Sequence, residues 1–168
     1  MKKVILSLFI LGLMFQGYSQ KIKTEELSEV VIAATNYKYL SATGLENASI
    51  PIALLEQKVA SYDLKDSDVY NDEYDSYVVS FYIPEGKILA AYNKDGNIIR
   101  TVEKFENIKL PKAVYSKILE QYPNWIIVKD VYLVNYHDQG GIHKKYKLTL
   151  ENGDKRIKVK CDPEGNFL

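Results

Sequence analysis

The stretch YKLTLENGDKRIKVKC, Tyr146 to Cys161, decides the fold. Tyr146, Leu148 and Leu150 alternate with Lys147, Thr149 and Glu151. Beyond Asn152-Gly153-Asp154, Ile157, Val159 and Cys161 alternate with Arg156, Lys158 and Lys160. A period of two on both sides of an Asn-Gly turn spells two antiparallel strands, one face on a core and the other in water. Asp162-Pro163-Glu164-Gly165-Asn166 marks a further turn.

The same pattern occurs upstream at a constant offset of 69, with Tyr77–Ile99 matching Tyr146–Leu168. Tyr77/Tyr146, Ile88/Ile157, Gly96/Gly165 and Asn97/Asn166 are identical. A second match at offset 60 pairs Ile50-Pro51 with Leu110-Pro111 and Tyr62 with Tyr122. The chain reads as one unit used twice, repeat 1 over about 50–104 and repeat 2 over about 110–168, and such duplication builds a continuous surface more readily than a catalytic pocket. Each unit opens with a helix. Pro51 and Pro111 suit a first helical turn, and Ser49 suits an N-cap. Ile52, Leu55 and Val59 recur at helical spacing, as do Val114, Tyr115, Ile118, Leu119 and Tyr122. Trp125–Tyr136 reads as a long strand and Asp68–Asn71 as a weak one. The expected fold is α+β: a tandem helix-plus-antiparallel-strands unit forming one curved antiparallel sheet, with two helices on one face. The offset places Tyr77, Val79, Phe81, Ile88, Ala90 and Tyr92 on the core side. Ser80, Tyr82, Leu89 and Ala91 then fall on the open face, joined by one of Tyr132 or Leu133.

The N-terminus reads differently. Lys2 and Lys3 precede the apolar run Val4–Phe15, and Gly17 and Ser19 supply the small residues of a cleavage site. This predicts a signal peptide over 1–19, hence a protein exported to the periplasm or beyond. No cysteine follows to take a lipid anchor, and no later run approaches the length of a membrane span. Residues 20–49 read as an N-terminal arm, with Thr35–Ala48 as linker and Val30–Ala34 as a candidate edge strand. The domain proper is 50–168. Its only cysteine is Cys161, so stability must come from packing. Formal net charge is zero, which argues against general affinity for nucleic acid or anionic membrane. Charge is segregated nonetheless. Residues 63–75 carry Asp63, Asp66, Asp68, Asp72, Glu73 and Asp75, whereas 144–160 are rich in Lys and Arg.

The Leu-Pro helix start at Leu110-Pro111, the Tyr122-Pro123 stop and the Asp-Gly and Glu-Gly hairpin turns resemble the PepSY-like, or β-lactamase-inhibitor-like, exported proteins of Bacteroidetes-type bacteria. The resemblance covers roughly residues 50–168. It implies a tandem of helix-plus-four-strand units with a concave open sheet, which in the inhibitor relatives grips a partner enzyme. No inhibitory loop of this chain matches residue by residue.

Candidate chemistry is sparse. His137, Asp138 and His143 flank Gln139-Gly140-Gly141 and could ligate a transition metal, but their spacing fits no closed site. Asp66-Ser67-Asp68 starts like a calcium loop yet lacks the later Gly and Glu. Cys161 sits at core parity. No phosphate loop, dinucleotide fingerprint or G-x-S-x-G elbow occurs. The expectation is therefore no catalytic residue, no metal and no cofactor. Tyrosine is abundant, 14 in all, and suits interfaces as well as strands. The residues expected to carry function are Tyr82, Leu89, Lys147, Lys158 and Lys160 on the open face. They suit a monomeric, non-catalytic module that binds another envelope or secreted protein, as an inhibitor or regulator. The alternatives are a periplasmic small-ligand or metal sensor or carrier, with ligand between sheet and arm, and a purely structural envelope component.

Overall fold

The computed structural model describes residues 36–44 and 48–168. The expected signal peptide and the Val30–Ala34 strand lie outside the described residues. Among the described residues are three helices and six strands: α1 (Tyr37–Thr43), α2 (Ile50–Ala60), β1 (Ser76–Ile83), β2 (Gly86–Asn93), β3 (Ile98–Glu106), α3 (Lys112–Gln121), β4 (Ile126–His137), β5 (Gly141–Asn152) and β6 (Lys155–Cys161). The strands form one antiparallel sheet in chain order, β1-β2-β3-β4-β5-β6. Each connection joins neighbours, all by short turns except that from β3 to β4, which runs through α3.

Alternation places the side chains as the sequence predicts. Tyr77 and Phe81 of β1 and Ile88, Ala90 and Tyr92 of β2 are buried, as are Leu148, Leu150, Val159 and Cys161 of β5 and β6. They share one core with Ile52, Leu55 and Val59 of α2 and Val114 and Ile118 of α3. In β4 the ambiguity resolves: Tyr132 is buried and Leu133 points to the open face. The buried rings stack, Tyr132 against Tyr146 at 4.6 Å and Phe105 against Tyr132 at 6.3 Å. Such pairs add specific geometry to the area they bury.

Local details explain the turns. A Cβ at Gly86 would lie 2.1 Å from the Lys104 carbonyl of β3, so the close approach of β3 to the start of β2 requires glycine there. The turns at 93–97 and 162–166 share one hydrogen-bond pattern. Asn93 N–H donates to Asn97 O and Asp162 N–H to Asn166 O. The Asn93 and Asp162 side chains each accept from the backbone N–H four residues on, and Gly96 and Gly165 take positive φ of 84° and 88°.

Three expectations are corrected. Asp68–Asn71 forms turns, not a strand, because its polar residues offer no buried face. Tyr115 and Leu119 lie on the solvent side of α3, whose one contact stripe is filled by Val114 and Ile118. Within the supposed linker, residues 37–43 form α1, which docks on the core. Tyr39 is 0% exposed. Buried Asn36 donates from its amide to Ala60 O (3.1 Å) and Gly96 O (3.2 Å) and accepts from Ile98 N–H (2.7 Å). One side chain thereby ties the start of α1 to the end of α2 and to the β2–β3 turn.

Asn36→Ala leaves those three backbone groups unpaired in a dry site, where each costs about 1–3 kcal/mol. We expect a loss of at least about 2 kcal/mol in chemical denaturation. A linker residue would show no loss.

Candidate functional site

The face of the sheet opposite the helices is the outstanding surface feature, and the strand register arranges it. One rung runs Tyr82, Lys87, Lys104, Leu133, Lys145 across β1 to β5. The next runs Ser80, Leu89, Val102, Asn135, His143. Farther along β4 to β6 lie Val131, Lys147, Lys160 and then Lys129, Thr149, Lys158. Leu89, Val102, Val131 and Leu133 thus form an apolar centre among cations.

Among the described residues nine cations lie on this face: Lys87, Arg100, Lys104, Lys129, Lys145, Lys147, Arg156, Lys158 and Lys160. Its two carboxylates are already engaged. Glu106 pairs with Lys104 (2.7 Å) and Lys129 (3.3 Å), which hold its carboxyl below the usual range, and Glu151 pairs with Arg156 (3.0 Å). A chain of zero net charge thus carries a strongly positive face because its acids stand elsewhere, six of them in the 63–75 loop. Focused charge of one sign raises the encounter rate with an opposite surface.

All five expected residues lie on this face, but it does not bring them together. Tyr82 and Leu89 belong to β1 and β2, Lys147, Lys158 and Lys160 to β5 and β6. The outermost strands are five spacings apart, roughly 24 Å at the usual strand separation. Lys147 and Lys160 are direct cross-strand partners, and Lys158 follows on the same side of β6. With Lys129 and Val131 they line a shallow depression of about 360 Å³. A second depression, about 330 Å³, lies beside Tyr82, Lys87 and Lys104.

His137 and His143 sit diagonally on adjacent strands. His137 Nδ1 accepts from Gln139 N–H (3.2 Å) and lies 2.9 Å from Asp138 Oδ1. Among the described residues no group of three or more His, Cys, Asp and Glu is placed to hold a metal. In the acidic loop, Asp63 Oδ1 accepts from Lys65 and Asp66 N–H, closing a turn. Cys161 is buried, and burial pushes its thiol up to about 11. No described helix is long and apolar enough to cross a membrane.

The core face holds a polar cluster that sequence reasoning missed. Glu56 of α2 and Glu103 of β3 are each 1% exposed. Glu103 Oε1 accepts from Tyr39 Oη at 2.8 Å and from Thr101 Oγ1 at 2.7 Å, while among the described residues Oε2 of neither glutamate has a hydrogen-bond partner. Lys144 stands on the Glu103 rung, two strands away through Val134, and its ammonium donates to Thr43 O. Desolvation is the main force on both acids. It pushes Glu56 to about 8, aided by Glu103, and Glu103 to about 7 against the hydrogen bonds from Thr101 and Tyr39. The signal was present in the sequence. Glu56 shares the helical face of Ile52 and Val59, and Glu103 shares the strand parity of Phe105.

No family model, a PepSY model included, matches the chain. No curated protein matches it either. Among solved structures it is similar to a BLIP-like protein of Bacteroides fragilis, at 19% identity and TM-score 0.33, over 56% of this chain and 66% of that one. It is also similar to a DUF2874 family protein of Bacteroides uniformis, at 12% identity and TM-score 0.37, over 72% and 86%. A candidate periplasmic protein of Bacteroides eggerthii matches at 11% identity and TM-score 0.36, again over 72% and 86%. The chain spans just under two thirds of the Bacteroides fragilis structure. None of these likenesses carries an activity to this chain.

The buried acids make stability fall with rising pH. Folded, both keep a proton at pH values where the unfolded chain has released it. Their contribution is whole below about pH 4.5 and is lost as pH rises through about 7 to 8. Each retained proton changes stability by about 1.4 kcal/mol per pH unit in that window. Glu103→Gln keeps the acceptor for Tyr39 and Thr101. We expect its Tm to fall less than the native protein's between pH 5 and pH 9, and parallel melting curves would contradict this.

Proposed function

We propose that the chain is an exported, non-catalytic binding module that engages an acidic surface of another envelope or secreted protein through its open sheet face. The observation that carries this reading is the composition of that face, an apolar centre bordered by nine cations whose two resident carboxylates are already paired. An apolar middle within a polar rim is the ordinary anatomy of an interface. Rim charges of one sign set partner choice and association rate. Export rests on the signal-peptide pattern of residues 1–19, and the concave grip on the resemblance of 50–168 to the inhibitor-like proteins. The offset of 69 and the shared turn pattern at 93–97 and 162–166 support descent from one duplicated unit. Inhibition or regulation of the partner is the form of binding this reading favours.

A small-ligand carrier is a second reading, favoured by one cleft. About 650 Å³ opens on the helix side, where the N-termini of α2 and α3 meet Tyr132 and Tyr146 beside Lys109, Lys112 and Lys144. A metabolite or metal that raises Tm in the native protein but not in Lys112→Glu would favour this reading over the first.

The face reading is tested by affinity capture from a native envelope and secreted fraction, followed by binding kinetics at graded salt. Lys158→Glu with Lys160→Glu should weaken the captured partner about ten-fold, mainly through the association rate, without lowering Tm. Tyr82→Ala is measured separately because it lies at the far edge. A partner bound equally by both variants, or binding insensitive to salt, would overturn the site.

A further inference from the structure

The helix-side cleft of about 650 Å³ is where both long helices begin. Ser49 and Ile52 at the start of α2 and Pro111, Lys112 and Ala113 at the start of α3 line it. Neither helix has a side-chain cap, and neither carries an acid in its first turn. The first intrahelical bonds run from Ala53 N–H to Ser49 O and from Tyr115 N–H to Pro111 O. The N–H groups ahead of them are unpaired among the described residues, and the positive ends of two helix dipoles meet at one opening. Lys112 opens α3 at the end where a cation opposes the dipole. Together with Lys109 it makes the mouth positive, and Glu164 is the carboxylate that lines the cleft against them.

A second observation is independent of the helices. Tyr132 and Tyr146, a stacked cross-strand pair, line the same cleft and are 6% and 4% exposed. Among the described residues neither hydroxyl has a hydrogen-bond partner, and neither is sealed from open space. Two polar groups on nine-tenths buried side chains thus turn to the cleft with nothing to bond. Ala48, Ile52 and Ile108 give its wall an apolar portion. Glu56 and Glu103, near Tyr132, hold protons more firmly than ordinary carboxyls, which spares the cleft much of their negative charge.

We propose that this cleft binds a small amphiphilic organic acid. Its carboxylate or phosphate head sits between the two helix N-termini, with Lys109, Lys112 and the tyrosine hydroxyls as further donors. Its apolar body lies on Ala48, Ile52 and Ile108. The inference rests on the carrier reading of the cleft and does not depend on what the open face binds.

The experiment is calorimetric titration and melting of the full exported chain with four probes: octanoate, octyl phosphate, 1-octanol and inorganic phosphate. Octanoate and octyl phosphate should bind and raise Tm, and whichever binds more tightly identifies the head group. Lys112→Glu should weaken both about ten-fold or more while raising the Tm of the ligand-free chain, because it puts an acid where the dipole favours one. Tyr132→Phe and Tyr146→Phe should weaken binding without lowering the ligand-free Tm. Lys158→Glu with Lys160→Glu should bind as the native chain does. Binding lost in that open-face variant but kept in Lys112→Glu overturns the proposal. Octanol bound as tightly as octanoate, and lost in Ala113→Trp, overturns the anionic head while the carrier reading stands. A native chain that takes none of the four probes overturns both.

Discussion

One constraint governs the rest: all six strands bury alternate residues beneath helices on a single side. A register slip of one residue would carry Lys145, Lys147, Lys158 and Lys160 into the core and expel Tyr146, Leu148 and Val159. That penalty fixes every strand at once, and short turns make every pairing but β3 with β4, which are joined through α3, a local one. It also explains why the cations gather. In strands whose inner positions are apolar, lysine and arginine have one other place to go.

The core is not purely apolar, and its polar part is organised around α1. Tyr39 meets Glu103, Lys144 reaches Thr43, and Asn36 joins α2 to the β2–β3 turn. Two buried acids near one lysine cannot both ionise cheaply, and desolvation keeps protons on them well above the ordinary carboxyl range. Apolar residues there would pack at lower desolvation cost. What the polar groups add is direction. Only one placement of α1 brings its tyrosine to Glu103 and its last carbonyl to Lys144.

The open face carries a gradient. Near β1 it presents Val78, Ser80, Tyr82 and Leu89, and near β6 it presents lysines on successive rungs. A partner spanning the sheet would meet an apolar, hydroxyl-bearing end and a cationic end roughly 24 Å apart. Contacts at the two ends would then differ in kind, the first insensitive to salt and the second governed by it.

Much of this was legible in the sequence because it depends on period and punctuation. The alternation in 146–161, its echo at 77–92, the helical spacing after Pro51 and Pro111 and the glycine turns are local signals, and local signals survive without neighbours. The open-face positions of Tyr82, Leu89, Lys147, Lys158 and Lys160 follow from the same parity. What needed tertiary structure was everything set by contact across the sheet. Seven residues, Tyr37–Thr43, are too short for a periodic signature, and α1 exists because Asn36 and Tyr39 find partners about sixty residues away. Glu56 and Glu103 look like solvated acids until a helix and a strand are laid together. Lys144 reads as one more basic residue until its rung turns it inward. The sequence by itself determined which residues share a face. Tertiary structure alone decided which faces meet, since burial, pairing and the protons they retain belong to groups distant along the chain.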